Sequence, residues 1–191
     1  MQLIMINGQL HFFMLLHELT TERLVLRQLK PEDADRIFVL RSDENVNRYL
    51  DRQPALTIED AIAFIQKINT AVNNNASLYW AISAKDDPAL IGTICIFNTD
   101  LEKGTAEIGY EMLPAFHGKG LMQEALATII EYGFEVAGFN IIEAVPRADN
   151  ERSVSLLKKN KFTRDSEAEK KFSEEDRAAN LIIYSLRKDL R

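Results

Sequence analysis

Runs of apolar residues with period two and with helical spacing alternate along the chain. Leu19–Leu29, LTTERLVLRQL, sets Leu24 and Leu26 against Arg23 and Arg27, which predicts a strand. Lys30-Pro31-Glu32-Asp33 then predicts a helix start, with Ala34, Ile37 and Phe38 continuing its rhythm. Residues 42–54 are polar and irregular, with Tyr49 and Leu50 embedded. Thr57, with Asp60 three residues on, predicts the cap of a second helix, carried by Ile58, Ile62, Ile65, Ile68 and Val72 and ended by Asn73-Asn74-Asn75. Strands are predicted at Leu78–Ser83, Leu90–Phe97 and Thr105–Leu113, with turn residues between them. Leu121, Met122, Ala125, Leu126, Ile129, Ile130, Gly133 and Phe134 form a wide helical stripe. Ile141–Val145 reads as a short buried strand, Asp149-Asn150 as a helix start, and Phe162–Arg164 and Leu181–Leu186 as closing strands. This order predicts one α/β domain, residues 19–191, with a mixed sheet of about six to seven strands and about four helices. Residues 1–18 read as an extension: an extra strand or hairpin, or an ill-ordered leader.

Composition narrows the function. Of the 191 residues 46% are apolar, enough for a sizeable core. A net charge of −6 argues against nucleic acid as a partner, because phosphate neutralisation needs clustered Lys and Arg. The single cysteine, Cys95, lies in an apolar run and excludes an internal disulfide; it is expected in the core. His11, His17 and His117 have no metal-ligand company, so no metal is expected. The apolar start of the chain lacks Lys and Arg and is interrupted by Asn7, Gly8, Gln9 and His11. It fits neither a signal peptide nor a membrane span, and the expected location is cytoplasmic.

Phe116–Leu126, FHGKGLMQEAL, carries the chemistry. Glycines beside a helix start let backbone N–H groups approach an anion, and Lys119 adds charge. A plain strand-to-helix turn would use the same residues. The P-loop is excluded because Leu121 follows Gly120, and the dinucleotide fingerprint because position 123 is Gln.

Three stretches together, TERLVLR, GYEMLPAFHGKGLMQEAL and NERSVSLLKKNKF, resemble the GCN5-related N-acetyltransferases. The branch most similar is that of the ribosomal-protein N-terminal acetyltransferases, and the closing IIYSLRKD also fits. The resemblance implies an acetyl-CoA site. The family's R/Q-x-x-G-x-G/A loop falls on His117, Gly118, Lys119, Gly120, Leu121 and Met122, whose amides would take the pyrophosphate. His at the first position and Met at the last depart from the pattern; at the last, the amide rather than the side chain is needed. Tyr110, Glu111, Met112 and Leu113 would pair backbone with the pantetheine arm. That strand is expected to bulge and to splay from Ile141–Val145, and Asn150 would bond pantetheine while also serving as a helix cap.

Acetyl transfer to an amine needs a base, an oxyanion donor and a route for the thiolate. Glu111 is the candidate base, with an ordered water as the alternative, and the Met112 N–H the candidate oxyanion donor. Many family members place a tyrosine acid where this chain has Leu157, which leaves Ser153 as the candidate, with water or release without a dedicated acid as the alternatives. Tyr49, with Asp43, Glu44 and Asp51, is a candidate for the acceptor side, together with residues 165–177. The expected reaction is direct transfer from acetyl-CoA to a primary amine, a protein N-terminus or a small molecule, by a monomer or homodimer. The competing reading is a non-catalytic CoA-binding sensor or interaction module.

Overall fold

Leu78, Trp80 and Ile82 are buried on one face of their strand, and Tyr79 and Ala81 on the other. A strand buried on both faces needs a cover on each side. The structure, a computed structural model, describes residues 2–6, 9–13 and 16–190, the first two stretches by backbone alone. In chain order the elements are β1 (Gln2–Ile6), β2 (Gln9–Phe13), β3 (Leu19–Thr20), β4 (Leu24–Arg27), α1 (Ala34–Ser42), α2 (Glu44–Asn47), α3 (Ile58–Asn73), β5 (Leu78–Ala84), β6 (Leu90–Asp100), β7 (Thr105–Met112), α4 (Leu121–Glu135), β8 (Ile141–Ala144), α5 (Glu151–Lys159), β9 (Thr163–Arg164), α6 (Glu174–Ala178) and β10 (Tyr184–Arg187).

The main sheet has eight strands in the order β3-β4-β5-β6-β7-β8-β10-β9. Its pairs are antiparallel except β7–β8, which is parallel. Leu24 and Leu26 of β4, Leu78, Trp80 and Ile82 of β5, Ile91, Ile94 and Ile96 of β6 and Ala106, Ile108 and Met112 of β7 pack with Ala125, Leu126, Ile129, Ile130 and Phe134 of α4, and Leu157 of α5 joins them. The opposite face packs against Ile37 and Leu40 of α1 and Ala61 and Ile65 of α3. The cap expected for α3 is present: Asp60 N–H donates to Thr57 Oγ1 at 3.3 Å, and Thr57 N–H to Asp60 Oδ2 at 3.0 Å.

Several boundaries differ from the sequence expectation. Leu19–Leu29 is two strands, because the Leu24 N–H turns back onto Thr21 Oγ1 at 2.9 Å. The last strand begins at Tyr184, opposite the end of β8 at Ala144, and Leu181 makes only an isolated bridge to Arg147. Eight strands in the main sheet and six helices replace the smaller numbers expected, because β3, α2 and α6 are too short to show a period. The bulge expected at Tyr110–Met112 lies instead on the neighbouring strand. There the β6–β7 register shifts between Phe97 and Asp100, while Gly92–Phe97 pair regularly with Glu107–Met112. The splay is present. β7 and β8 pair only from Thr105 to Glu107, leaving the β7 edge from Ile108 onward open.

β1 and β2 form a separate antiparallel pair. The reading of residues 1–18 as an extension falls partly on residues 1, 7, 8, 14 and 15, which lie outside the described residues. The side chain of His11 does too. Nearer the sheet, Trp80 Nε1 donates to the His17 carbonyl at 2.8 Å, and Leu16 packs on both cores.

Cys95 lies on β6, half-buried against the core under α1 and α3, its thiol donating to the Gly109 carbonyl at 3.5 Å. Burial, with the Glu111 charge adding to it, pushes the thiol up to about 12. Native alkylation at neutral pH should therefore be slower than in urea by on the order of a thousandfold, from the lost thiolate fraction alone. Iodoacetamide labelling followed by mass spectrometry measures this, and equal rates in the two states would contradict it.

Candidate functional site

After β7, Pro114–Phe116 forms one tight turn, and Gly118 and Gly120 both take φ +74°. A side chain is disfavoured in this left-handed conformation, by roughly 1–2 kcal/mol. At Gly118 a Cβ would meet no atom within 4 Å, so backbone conformation rather than crowding calls for glycine there. Gly120 is the N-cap of α4 and no side chain caps the helix. Among the described residues, none of the amides from Gly118 to Gln123 donates to a protein acceptor. Such a run of free N–H groups at the positive end of a 15-residue helix has the geometry to cradle an anion.

The cradle is braced from the turn between β3 and β4, a connection the sequence reading missed. Arg23 Nε bonds Glu124 Oε2 at 2.6 Å, Arg23 Nη1 bonds the Lys119 carbonyl at 3.0 Å, and the Thr21 hydroxyl and Arg23 N–H share Glu124 Oε1. Burial raises the Glu124 pKa, but the bonds from Thr21 and Arg23 outweigh it and hold the carboxyl below the usual range. A depressed acid stabilises the fold above its unfolded value, near 4.3, and that contribution is lost as pH falls through the folded value. Arg23 is 47% exposed, so solvent screening reduces the gain. Glu124→Gln should cost about 1 kcal/mol at pH 7 and progressively less as the pH is lowered through the acid range, read by urea unfolding. A loss that does not change with pH would contradict the assignment.

The open strand edge lies beside the cradle. Leu113 N–H donates to the Ile91 carbonyl at 3.0 Å, and the antiparallel alternation turns Glu111 and Gly109 toward β6 as well. The backbone groups of Tyr110 and Met112 therefore face away from β6, where β8 has diverged. His117 Nε2 donates to the Met112 carbonyl at 2.8 Å, and His117 Nδ1 accepts from Arg152 Nη1 at 3.1 Å. The loop, the strand edge and α5 are thus tied at one residue. The Met112 N–H and the Tyr110 backbone remain for a ligand that carries amides of its own.

A cleft of about 1070 Å³ runs along this edge. It is lined by Tyr49, Tyr110, Glu111, Met112, His117, Gly118, Gly120, Leu121, Met122, Asn150 and Ser153 of the sequence candidates, with Asn45, Val46 and Leu50 beside Tyr49. Leu113 and Lys119 do not line it. Leu113 is buried in the core with Leu29 and Ile37, and the Lys119 ammonium lies 5.2 Å over the Phe116 ring. None of residues 165–177 lines it either, nor do Asp43, Glu44 and Asp51. Asp43 caps α2, accepting from the N–H groups of Asn45 and Val46.

Glu111 faces the α1–α3 side of the sheet. Its Oε2 lies 2.7 Å from Arg52 Nη2, at an angle that makes the contact one of charge rather than a hydrogen bond. Thr93 Oγ1 donates to its Oε1 at 3.4 Å and accepts from the Tyr79 hydroxyl at 2.9 Å. Burial, then the charge of Arg52, lowers the pKa of nearby Arg41, whose guanidinium stacks 3.8 Å over Phe64. Burial, then the Glu111 charge, raises the Tyr79 phenol well above its usual value. Arg52 sits in the irregular stretch 42–54 and Thr93 in a buried strand; neither position carries a sequence signal.

On the other side of β7, Tyr110 Oη and Ser153 Oγ are 2.8 Å apart. Ser153 N–H donates to Asn150 Oδ1 at 3.2 Å, so Asn150 caps α5. Leu157 is fully buried. Among the described residues there is no cluster of metal-binding side chains, and no helix is long and apolar enough to cross a membrane.

Known proteins share this fold and sequence pattern. The family model of the acetyltransferase (GNAT) domain matches residues 23–163. The uncharacterized N-acetyltransferase YoaA of Bacillus subtilis is 36% identical over 147 residues, covering 77% of this chain and 83% of that protein. The ribosomal-protein-S5-alanine acetyltransferase from Vibrio fischeri superposes with a TM-score of 0.71 at 20% identity, covering 91% of this chain and 98% of that one. The microcin C7 self-immunity acetyltransferase MccE, in complex with acetyl-CoA and AMP, gives 0.72 at 20% identity, covering 87% and 93%. The chain belongs to the GNAT acetyltransferase family, an enzyme of the N-acetyltransferase class.

Proposed function

We propose that the cleft binds acetyl-CoA and that the protein transfers its acetyl group to a primary amine by direct attack in a ternary complex. The observation that carries this reading is the run of free amides from Gly118 to Gln123 beside an open strand edge. The amides suit a pyrophosphate, and the Tyr110 and Met112 backbone suits the amides of a pantetheine arm. Acetyl-CoA bound there supplies a thioester carbonyl open to an amine.

Glu111, or a water it holds, takes the amine proton; its carboxylate lines the cleft and is fixed by Arg52 and Thr93. The Met112 N–H donates to the oxygen of the attacked carbonyl. Ser153 faces the sulfur. Asn45, Val46, Tyr49 and Leu50 form the acceptor side, where Glu111 is the neighbouring charge. The acceptor is a protein N-terminal α-amine or a small amine; an α-amine, with a pKa near 8 against about 10.4 for lysine, loses its proton more readily.

A thiol-release assay against a panel of N-terminal peptides and small amines tests the reading. Amine-dependent CoA release is expected. Acetyl-CoA binding without release for any amine would leave a sensor instead.

A further inference from the structure

We propose that Tyr110 is a positioning residue for thiolate departure: its phenol donates to Ser153 Oγ and thereby aims the Ser153 hydroxyl proton at the leaving sulfur. This rests on the acetyl-CoA reading. Tyr110 comes from β7 and Ser153 from the first turn of α5, 43 residues apart, and their oxygens meet at 2.8 Å with both residues lining the cleft. Leu157, one turn further on, is fully buried and apolar and supplies no donor.

The direction of the bond follows from what each oxygen can do. A serine hydroxyl has one proton and two acceptor sites. Among the described residues Ser153 Oγ has no other hydrogen-bond partner, so its proton is not spent on a backbone carbonyl of its own helix. Its amide is pinned by Asn150 Oδ1, which fixes the start of the side chain. Among the described residues the Tyr110 phenol has no acceptor other than Ser153 Oγ, and a phenol is a stronger donor than an aliphatic hydroxyl, so the phenol donates. Accepting that bond leaves the serine proton free for the cleft and polarises it, which makes Ser153 a stronger donor.

In the transfer, the amine nitrogen bonds to the thioester carbon. The C–S bond then breaks and sulfur takes the electron pair. The nitrogen's proton goes to Glu111 or to water, while Ser153 and Tyr110 keep theirs and hold the new negative charge by hydrogen bonding.

The bound thiol itself reports on the pair. CoA with a free thiol is bound to the wild type, Ser153→Ala, Tyr110→Phe and the double variant, and its thiolate absorbance is followed against pH. The wild type should lower the thiol pKa below that of free CoA. Each single variant should raise it by about one unit, the size of one lost hydrogen bond to a charged group, and the double variant no further. With an active acceptor, kcat should fall about tenfold in each single variant, with KM for acetyl-CoA unchanged. A Tyr110→Phe thiol that titrates as in the wild type, or additive effects in the double variant, would overturn the proposal. Absence of CoA binding to the wild type by calorimetry would overturn the acetyl-CoA reading, and the proposal with it.

Discussion

Gly120→Glu should weaken acetyl-CoA binding at least a hundredfold while leaving the fold in place. Gly120 caps α4 at φ +74°, and its missing Cβ would lie 3.5 Å from Arg23 Nη2. A glutamate there adds a carboxylate at the mouth of the cradle, against the anion the amides are free to bind. Two losses combine: the strain of a side chain in the left-handed region, roughly 1–2 kcal/mol, and like-charge repulsion at a site arranged for an anion. The strain lowers stability modestly; the repulsion falls on the ligand. Gly120→Ala separates them, since it carries the strain without the charge and should keep most of the affinity. Calorimetric titration of both variants measures this. Equal affinities in Gly120→Glu and the wild type would remove the cradle from the binding site.

Glu111→Gln should reduce kcat by about 10² to 10⁴, the usual contribution of a positioned base. It should also destabilise the protein, because Arg52 then keeps a charge with no carboxylate opposite it. The two side chains are 17% and 10% exposed, and breaking a buried pair costs about 3 kcal/mol. Replacing Arg52 by Met as well should recover part of that stability, since no unpaired charge remains, but none of the rate. The urea midpoint and kcat are therefore read together on the single and double variants. A stability loss with kcat intact would move the base to an ordered water.

These residues also show which parts of the site a sequence can carry. The cradle was legible because its features are local: two glycines, a strand ahead and an apolar helix behind, all within Tyr110–Leu126. Asn150 and Ser153 were legible for the same reason, one turn apart at a helix start. The contacts that fix the site join distant segments. Arg23 and Glu124 are 101 residues apart, and Tyr110 and Ser153 are 43. Strand alternation sets Glu111 on the face opposite Ile108 and Met112 but has no means of pairing it with Arg52, which lies in an aperiodic stretch. The bulge moved to β6 for a related reason: the register depends on how β6 and β7 meet, and both strands alternate well enough alone. Leu113, expected at the ligand, belongs instead to the core through its bond to Ile91.

The most direct test of the central claim is the stoichiometry of the products. Purified protein is incubated with acetyl-CoA and a peptide bearing a free α-amine, or a small amine identified by the thiol-release panel. Free CoA and acetylated amine are then quantified together by mass spectrometry. The expected result is one N-acetyl amide formed per CoA released, with neither product above background in Gly120→Glu. CoA released without any acetylated amine, or no turnover with any amine despite saturating acetyl-CoA, would contradict acetyl transfer to an amine in this cleft.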